Sequence, residues 1–328
     1  ENLMRFGTIS LVLAVGLMVI GLLFPWMKTI GILGLCYGLA ALGVSLPARS
    51  GQVSFGHAMF ACVAAYAVAF TAKAFPQLDG LMLIVWSVVL STAFSAVLGL
   101  FMVRYRGIFF GMLNLAVSMV IVALLGKLYS LTGGSDGIRV DRPTFFGFVT
   151  ERSEFETLLL GFTLLVSLGC GWFYQRFIHS ASGEALSGLK TNETRLEYLG
   201  LSANRIISIN FVVAAIFAGA SGAFALMAQR HIDPQFAYWT TSGEFVFVAV
   251  LAGNQSVAAV FVASMALELV RSFSNLYLPN TWQLVLGTFL LAVILFLPRG
   301  IGSLWIRDRR KRHTSAAAAL AAEQGAAP

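Results

Sequence analysis

Gln52, Ser54 and His57 stand close together in SGQVSFGHAMFACVAAY (residues 50–66), where a long apolar run begins. Side chains of this kind are expensive inside a bilayer, and they mark solute or proton paths unless they satisfy one another. Taken singly, each reads as a self-satisfied polar group; taken together, they read as lining for a translocation path. Asn114 and Asn254, each set in or beside an apolar run, extend the same list. Gly51, just before Gln52, and Gly56, just before His57, permit close backbone approach or a helix break.

A second pattern lies in GEALSGLKTNETRLEYLGL (residues 183–201), the longest polar stretch between two apolar runs. Leu186, Leu189, Leu196 and Leu199 recur at three- and seven-residue spacing, which predicts one side of a helix. Lys190, Glu193, Arg195 and Glu197 occupy the remaining surface, and Gly200 stands where a helix would end. Such an amphipathic helix either lies on its own bundle or the lipid surface, or receives a partner. A third set, Glu244, Glu268 and Arg271, places ionisable groups near apolar runs; Glu268 and Arg271 are three residues apart and predict a mutual ion pair.

The elements that must position these residues are helices. The 328 residues are 58% hydrophobic and only 11% charged, against about 25% charged in a soluble domain. Apolar runs fall near 7–26, 29–48, 54–75, 80–103, 107–129, 157–178, 206–228, 243–252, 256–274 and 281–298. Lipid offers backbone groups no partners, so these runs must be helical. The run 243–252 is too short to cross alone and is cut by Gly253-Asn254. It reads either as one of two half-helices or as a short span with a tight turn. The expectation is an all-α integral membrane protein of about ten spans, with a broken helix near 243–256.

Lys and Arg give the orientation. With Arg5 inside, the even connections carry Arg49, Arg104, Arg106, Lys190, Arg195 and Arg205 inside as well. The tail (Arg307, Arg309, Arg310, Lys311 and Arg312) then also falls inside, and the mixed-charge connection 130–156 falls outside. The net charge of +7 sits at span ends rather than in a nucleic-acid groove. Residues 1–305 read as one membrane domain, and 306–328 as a basic, then Ala-rich, cytosolic tail. The chain opens on Glu1, which reads as a missing native N-terminus, and 7–26 reads as a span rather than a signal peptide.

No Walker A, His-Glu-x-x-His or Gly-x-Ser-x-Gly pattern occurs, so neither nucleotide hydrolysis nor serine acylation is expected of this chain. Cys36, Cys62 and Cys170 sit in apolar runs without metal or disulfide spacing. Gly34 with Gly38, and Ala214 with Ala218 and Gly222, are small-residue rows suited to helix packing. Phe109-Phe110 and Phe145-Phe146 read as lipid-facing or interfacial aromatics.

Five stretches in order resemble the M-type permease of branched-chain amino acid ABC importers. They are residues 50–66, RGIFFGMLNLA (106–116), LTGGSDGI (131–138), the segment 183–201 with its Ala185, Asn192-Glu193 and Leu199-Gly200, and Pro298-Arg299-Gly300. The resemblance runs from about residue 30 to 305. It implies a type II importer permease of two related halves; Ser50-Gly51-Gln52 and Ser242-Gly243-Glu244 both precede apolar runs. It also implies a heterodimer with an H-type permease, two ABC ATPases that bind ATP and Mg, and a periplasmic substrate-binding protein, all at a bacterial inner membrane with the C-terminus cytosolic. No cofactor or metal is expected on this chain.

By the same resemblance, Leu186, Leu189, Lys190, Asn192, Glu193, Leu196, Leu199 and Gly200 form a coupling helix. Thr132, Gly133, Gly134 and Gly137 form a periplasmic gate or binding-protein contact. Two departures bear on substrate. The glycine-rich Gly-Gly-x-Gly-Ser-x-x-Gly-Pro pattern at the broken helix is replaced by AGNQSVAAV (252–260), and Asn114 stands where Thr is usual. Branched-chain amino acids are the expected substrate, with urea, short amides and aromatic carboxylates as related options. The rival reading is an ion- or proton-coupled secondary transporter using His57 or Glu268.

Overall fold

A computed structural model describes residues 14–145, 151–253 and 256–296. Each of the ten apolar runs contains a helix. Seven are long and apolar enough to cross a membrane: α2 (Met27–Arg49), α3 (His57–Ala74), α4 (Gly80–Met102), α5 (Gly107–Lys127), α7 (Arg152–Ile178), α10 (Ala203–Gln229) and α12 (Val257–Tyr277). Three are shorter: α1 (Ala14–Leu23), α11 (Trp239–Ala252) and α13 (Trp282–Phe296). Short α6 (Tyr129–Thr132), α8 (Ala181–Thr191) and α9 (Glu193–Tyr198) complete the set. Two two-residue strands, β1 (Ile138–Arg139) and β2 (His231–Ile232), pair antiparallel.

α2 and α10 form the centre: 83% of the most apolar window of each is buried, against 28% for α4 and 22% for α5. Sequence explains the difference. Where α2 meets α10, a Cβ on Gly43 would lie 2.7 Å from the Ala214 carbonyl oxygen. Where α2 meets α12, a Cβ on Gly38 would lie 2.5 Å from Phe261. Both small-residue rows therefore serve close helix packing, since apolar side chains gain little from leaving lipid and backbones must approach instead. α4 and α5 carry large aliphatics such as Val97, Leu100, Ile108 and Met112 on exposed surface, as helices facing lipid do.

The aromatic pairs divide differently from the interfacial expectation. Phe109 is exposed, but Phe110 is fully buried against Phe211, with ring centroids 5.7 Å apart. Consecutive helical residues point about 100° apart, so one ring of such a pair turns inward. Phe145 is buried as well, stacked on Phe162 at 5.4 Å and close to Phe155; Phe146 lies outside the described residues.

The broken helix takes its simpler form. α11 has 14 residues, about 21 Å at 1.5 Å per residue, and ends on Gly253 with φ +70°. α12, which follows, is full length at 21 residues. It is therefore a short helix followed by a full-length one rather than a pair of half-helices; Asn254 and Gln255 between them lie outside the described residues.

The ends of the helices sort as the charge parity predicts. Ser50, Gln52, Arg106, Lys190 and Glu193 share one cavity, which gathers the connections after α2, α4 and α7 at one end. At the other end Gly80 N–H donates to Thr144 O at 2.8 Å, Val140 N–H to Arg230 O at 3.1 Å, and Lys28 Nζ to Thr157 Oγ1 at 2.8 Å.

Candidate functional site

The polar segment 183–201 is two helices set at an angle by Asn192, not the continuous helix its leucine spacing predicts. Ser180 Oγ accepts from Gly183 N–H and opens α8; Asn192 Oδ1 accepts from Arg195 N–H at 3.1 Å and opens α9. An Asn with extended backbone is a strong N-cap, and its φ of −162° ends α8 at the same point. Gly200, φ +80°, terminates α9 as expected.

Breaking the helix divides the leucine stripe. Leu186 and Leu196 are buried in a small cluster with Ala185 and Ile206, and Leu189 packs against it. Leu199, just past α9, is 74% exposed, and its neighbour Tyr198 is 89% exposed. The inner leucines seat the segment on its own bundle; Tyr198, Leu199 and Leu201 present an apolar edge to the outside. The expected single docking face is thus two faces.

Arg106 ties this segment to the long helices. Its Nε donates to both carboxylate oxygens of Glu193 at 3.1 Å, and its Nη2 to Oε1 at 2.9 Å and to Asn204 Oδ1 at 2.6 Å. Nη1 donates to the Val103 and Tyr105 carbonyls beyond α4. This bidentate arrangement suits the planar guanidinium. Beside it a cavity of about 370 Å³ is lined by Gly51, Gln52, Lys190 and Glu193.

The expected path residues separate. His57 opens α3, fully buried, with Nδ1 2.8 Å from Ser54 Oγ. Its ring meets Phe60 and Phe211 edge-on at 5.7 and 6.1 Å. The next backbone N–H, of Ala58, donates to Ser242 Oγ at 2.9 Å, which joins the start of α3 to α11. Asn114 is buried, with Nδ2 donating to Phe110 O at 3.0 Å. A Cβ on Gly56 would lie 2.5 Å from the Asn114 carbonyl oxygen, and one on Gly111 2.5 Å from that of Val53. Ser54, His57 and Asn114 therefore form one close-packed unit joining residues 52–57 to α5. Gln52 faces the cavity instead, and Asn254 lies outside the described residues. Within this set Gln52 Oε1, His57 Nε2 and Asn114 Oδ1 have no hydrogen-bond partner among the described residues.

Two features escaped sequence reasoning. A cavity of about 280 Å³ near the end of α11 and the start of α12 is lined by Ser45, Arg49, Tyr174, Gln175 and Ser256. In it Tyr174 Oη lies 2.7 Å from Ser45 Oγ and accepts from Arg49 Nε at 3.3 Å. Its residues come from four helices, so no local spacing announces it. Second, Arg271 bonds first to Glu244 of α11 and to Tyr37 Oη of α2. The expected partner, Glu268, lies 3.5 Å away. The guanidinium also stacks over Tyr37 at 4.6 Å and Trp282 at 5.7 Å.

The loop 132–137 is a fixed turn. Thr132 Oγ1 donates to Leu125 O at 2.6 Å, and Gly133, Gly134 and Gly137 all have positive φ. A Cβ on Gly137 would collide with the Ile232 carbonyl beside the β1–β2 pair. No group of three His, Cys, Asp or Glu suited to a metal occurs among the described residues.

Comparison with known proteins agrees with this architecture. A family described as "Branched-chain amino acid transport system / permease component" matches residues 26–295. The high-affinity branched-chain amino acid transport system permease protein LivM of Salmonella typhimurium is 26% identical over 317 residues, 87% of this chain and 73% of its own. LivM of Escherichia coli is 26% identical over 326 residues, 88% and 73%. LivH of Escherichia coli is 25% identical over 124 residues, 38% and 40%. No solved structure gives a significant match.

Proposed function

The chain belongs to the branched-chain amino acid transport permease family and is a multi-pass permease subunit of an ABC-type amino acid importer that works with other subunits; from that premise we propose its substrate, partners and working parts. It passes branched-chain or similar hydrophobic amino acids inward across a bacterial inner membrane. Two ABC ATPases bind ATP and Mg and hydrolyse the nucleotide; this chain is not itself an enzyme. An H-type permease completes the pathway and a periplasmic binding protein delivers the solute, with the C-terminus of this chain cytosolic.

The observation that carries the reading is the two-faced segment α8–α9. Buried Leu186 and Leu196 hold it to the bundle while Tyr198 and Leu199 stand exposed, the arrangement a coupling element needs to follow an ATPase groove. Thr132, Gly133, Gly134 and Gly137 make a preset turn at the opposite end, suited to a gate or to the binding protein. Gln52, facing its cavity, and Ser45, Tyr174 and Gln175 of the second cavity offer dipoles along the way. Dipolar contacts of this kind keep binding weak enough for release.

The test is uptake by proteoliposomes holding the chain with its co-purifying partners. Leucine uptake that requires ATP and survives collapse of the proton gradient supports the importer. Uptake that ignores ATP and vanishes with the gradient overturns it in favour of a proton-coupled carrier.

A further inference from the structure

We propose that Arg106 is the positioning residue that carries motion of the coupling segment into the membrane, an inference that rests on the importer reading above. Its three guanidinium nitrogens join three separate pieces of chain: the α4–α5 connection at Val103 and Tyr105, the start of α9 at Glu193, and the first turn of α10 at Asn204. The next residue, Gly107, has φ +57° with open space around its α-carbon. A left-handed joint of this kind turns without steric opposition.

From that joint α5 runs directly to the polar unit. Gly111 bears on Val53 and Asn114 on Gly56, the two contacts that fix residues 52–57 beside His57. The mechanical order is α9, Glu193, Arg106, Gly107, α5, then the 52–57 segment. Lys190 of α8 lies close to Gly51, just before this segment: a Cβ on Gly51 would lie 3.4 Å from its Cγ, and both line the cavity that Gln52 faces. An ion pair this exposed adds little stability. Its bidentate geometry instead fixes distance and angle, which is what transmission requires.

The experiment measures leucine uptake per ATP hydrolysed in proteoliposomes of the full complex. Arg106→Gln should lower that ratio about ten-fold, the scale of typical coupling energies between sites, while the partner ATPases go on hydrolysing ATP. Arg106→Lys keeps the charge but loses the fork and should fall between. The double exchange Arg106→Glu with Glu193→Arg should recover most of the ratio. An unchanged ratio in Arg106→Gln overturns the inference. So does failure of Arg106→Glu and of Glu193→Arg to accumulate in membranes with accumulation restored by the exchange, which makes the pair a folding contact. Absence of ATP-driven uptake by the unsubstituted complex is a separate result, and it defeats the importer reading itself.

Discussion

Arg106 and Arg271 each gather a guanidinium, a glutamate and carbonyl or hydroxyl acceptors, yet they stand in opposite surroundings. The side chains of Arg106 and Glu193 are 31% and 37% exposed, whereas Arg271, Glu244 and Glu268 are 17%, 15% and 6% exposed. Burial decides what such a cluster does. Deep among the helices, removing one charge strands the others in a medium that solvates them poorly, so the cluster clamps α2, α11 and α12. At the surface, water substitutes for a lost partner, so the pair fixes geometry at small energetic consequence.

The sharpest way to break the comparison is Arg271→Met, which leaves two carboxylates without their counter-charge. It should destabilise the protein by about 3–5 kcal/mol, read as thermal unfolding in detergent; a shift no larger than that of a surface variant would end the distinction. Leu186→Ala asks whether the α8–α9 segment is held by packing or by its ion pair. Loss of a fully buried Leu should cost about 2–4 kcal/mol, seen as faster hydrogen exchange across 181–201. Ser242→Ala, on the same helix as Glu244, leaves the buried Ala58 N–H without its acceptor and should cost about 1–2 kcal/mol in the same melting assay. Smallest is Arg106→Gln, expected to change stability by less than about 1 kcal/mol even where transport suffers. A large melting shift there would make both arginines clamps.

The residues that were legible in sequence, and those that were not, differ in physical range. The ten helices followed from apolar runs because lipid leaves the backbone no alternative. The roles of Gly38 and Ala214 followed because close packing in membranes demands small residues. The break at Asn192 was legible in principle, since an Asn followed by Glu is an N-cap signal, but the leucine spacing on either side masked it. Pairings across the fold were not legible. Glu268 was the visible partner of Arg271 at three residues' distance, while Glu244, 27 residues away, takes the shorter bond. Glu193 lies 87 residues from Arg106, and only the assembled bundle brings them together. His57 stands out in sequence as a polar ring at the start of an apolar run; Phe60 lies three residues along the same helix, but the contact with Phe211 comes from α10, which no local pattern in α3 announces.

The central claim is that the exposed edge of α9 seats a partner ATPase while the inner leucines hold the segment to this chain. It is tested most directly by Leu199→Asp, followed by purification of the permease from native membranes and quantification of the ATPase that comes with it. The account predicts a permease recovered in normal amount, with the unsubstituted melting temperature, that has lost its ATPase and its ATP-driven leucine uptake. Retention of a full complement of ATPase with normal uptake would contradict it.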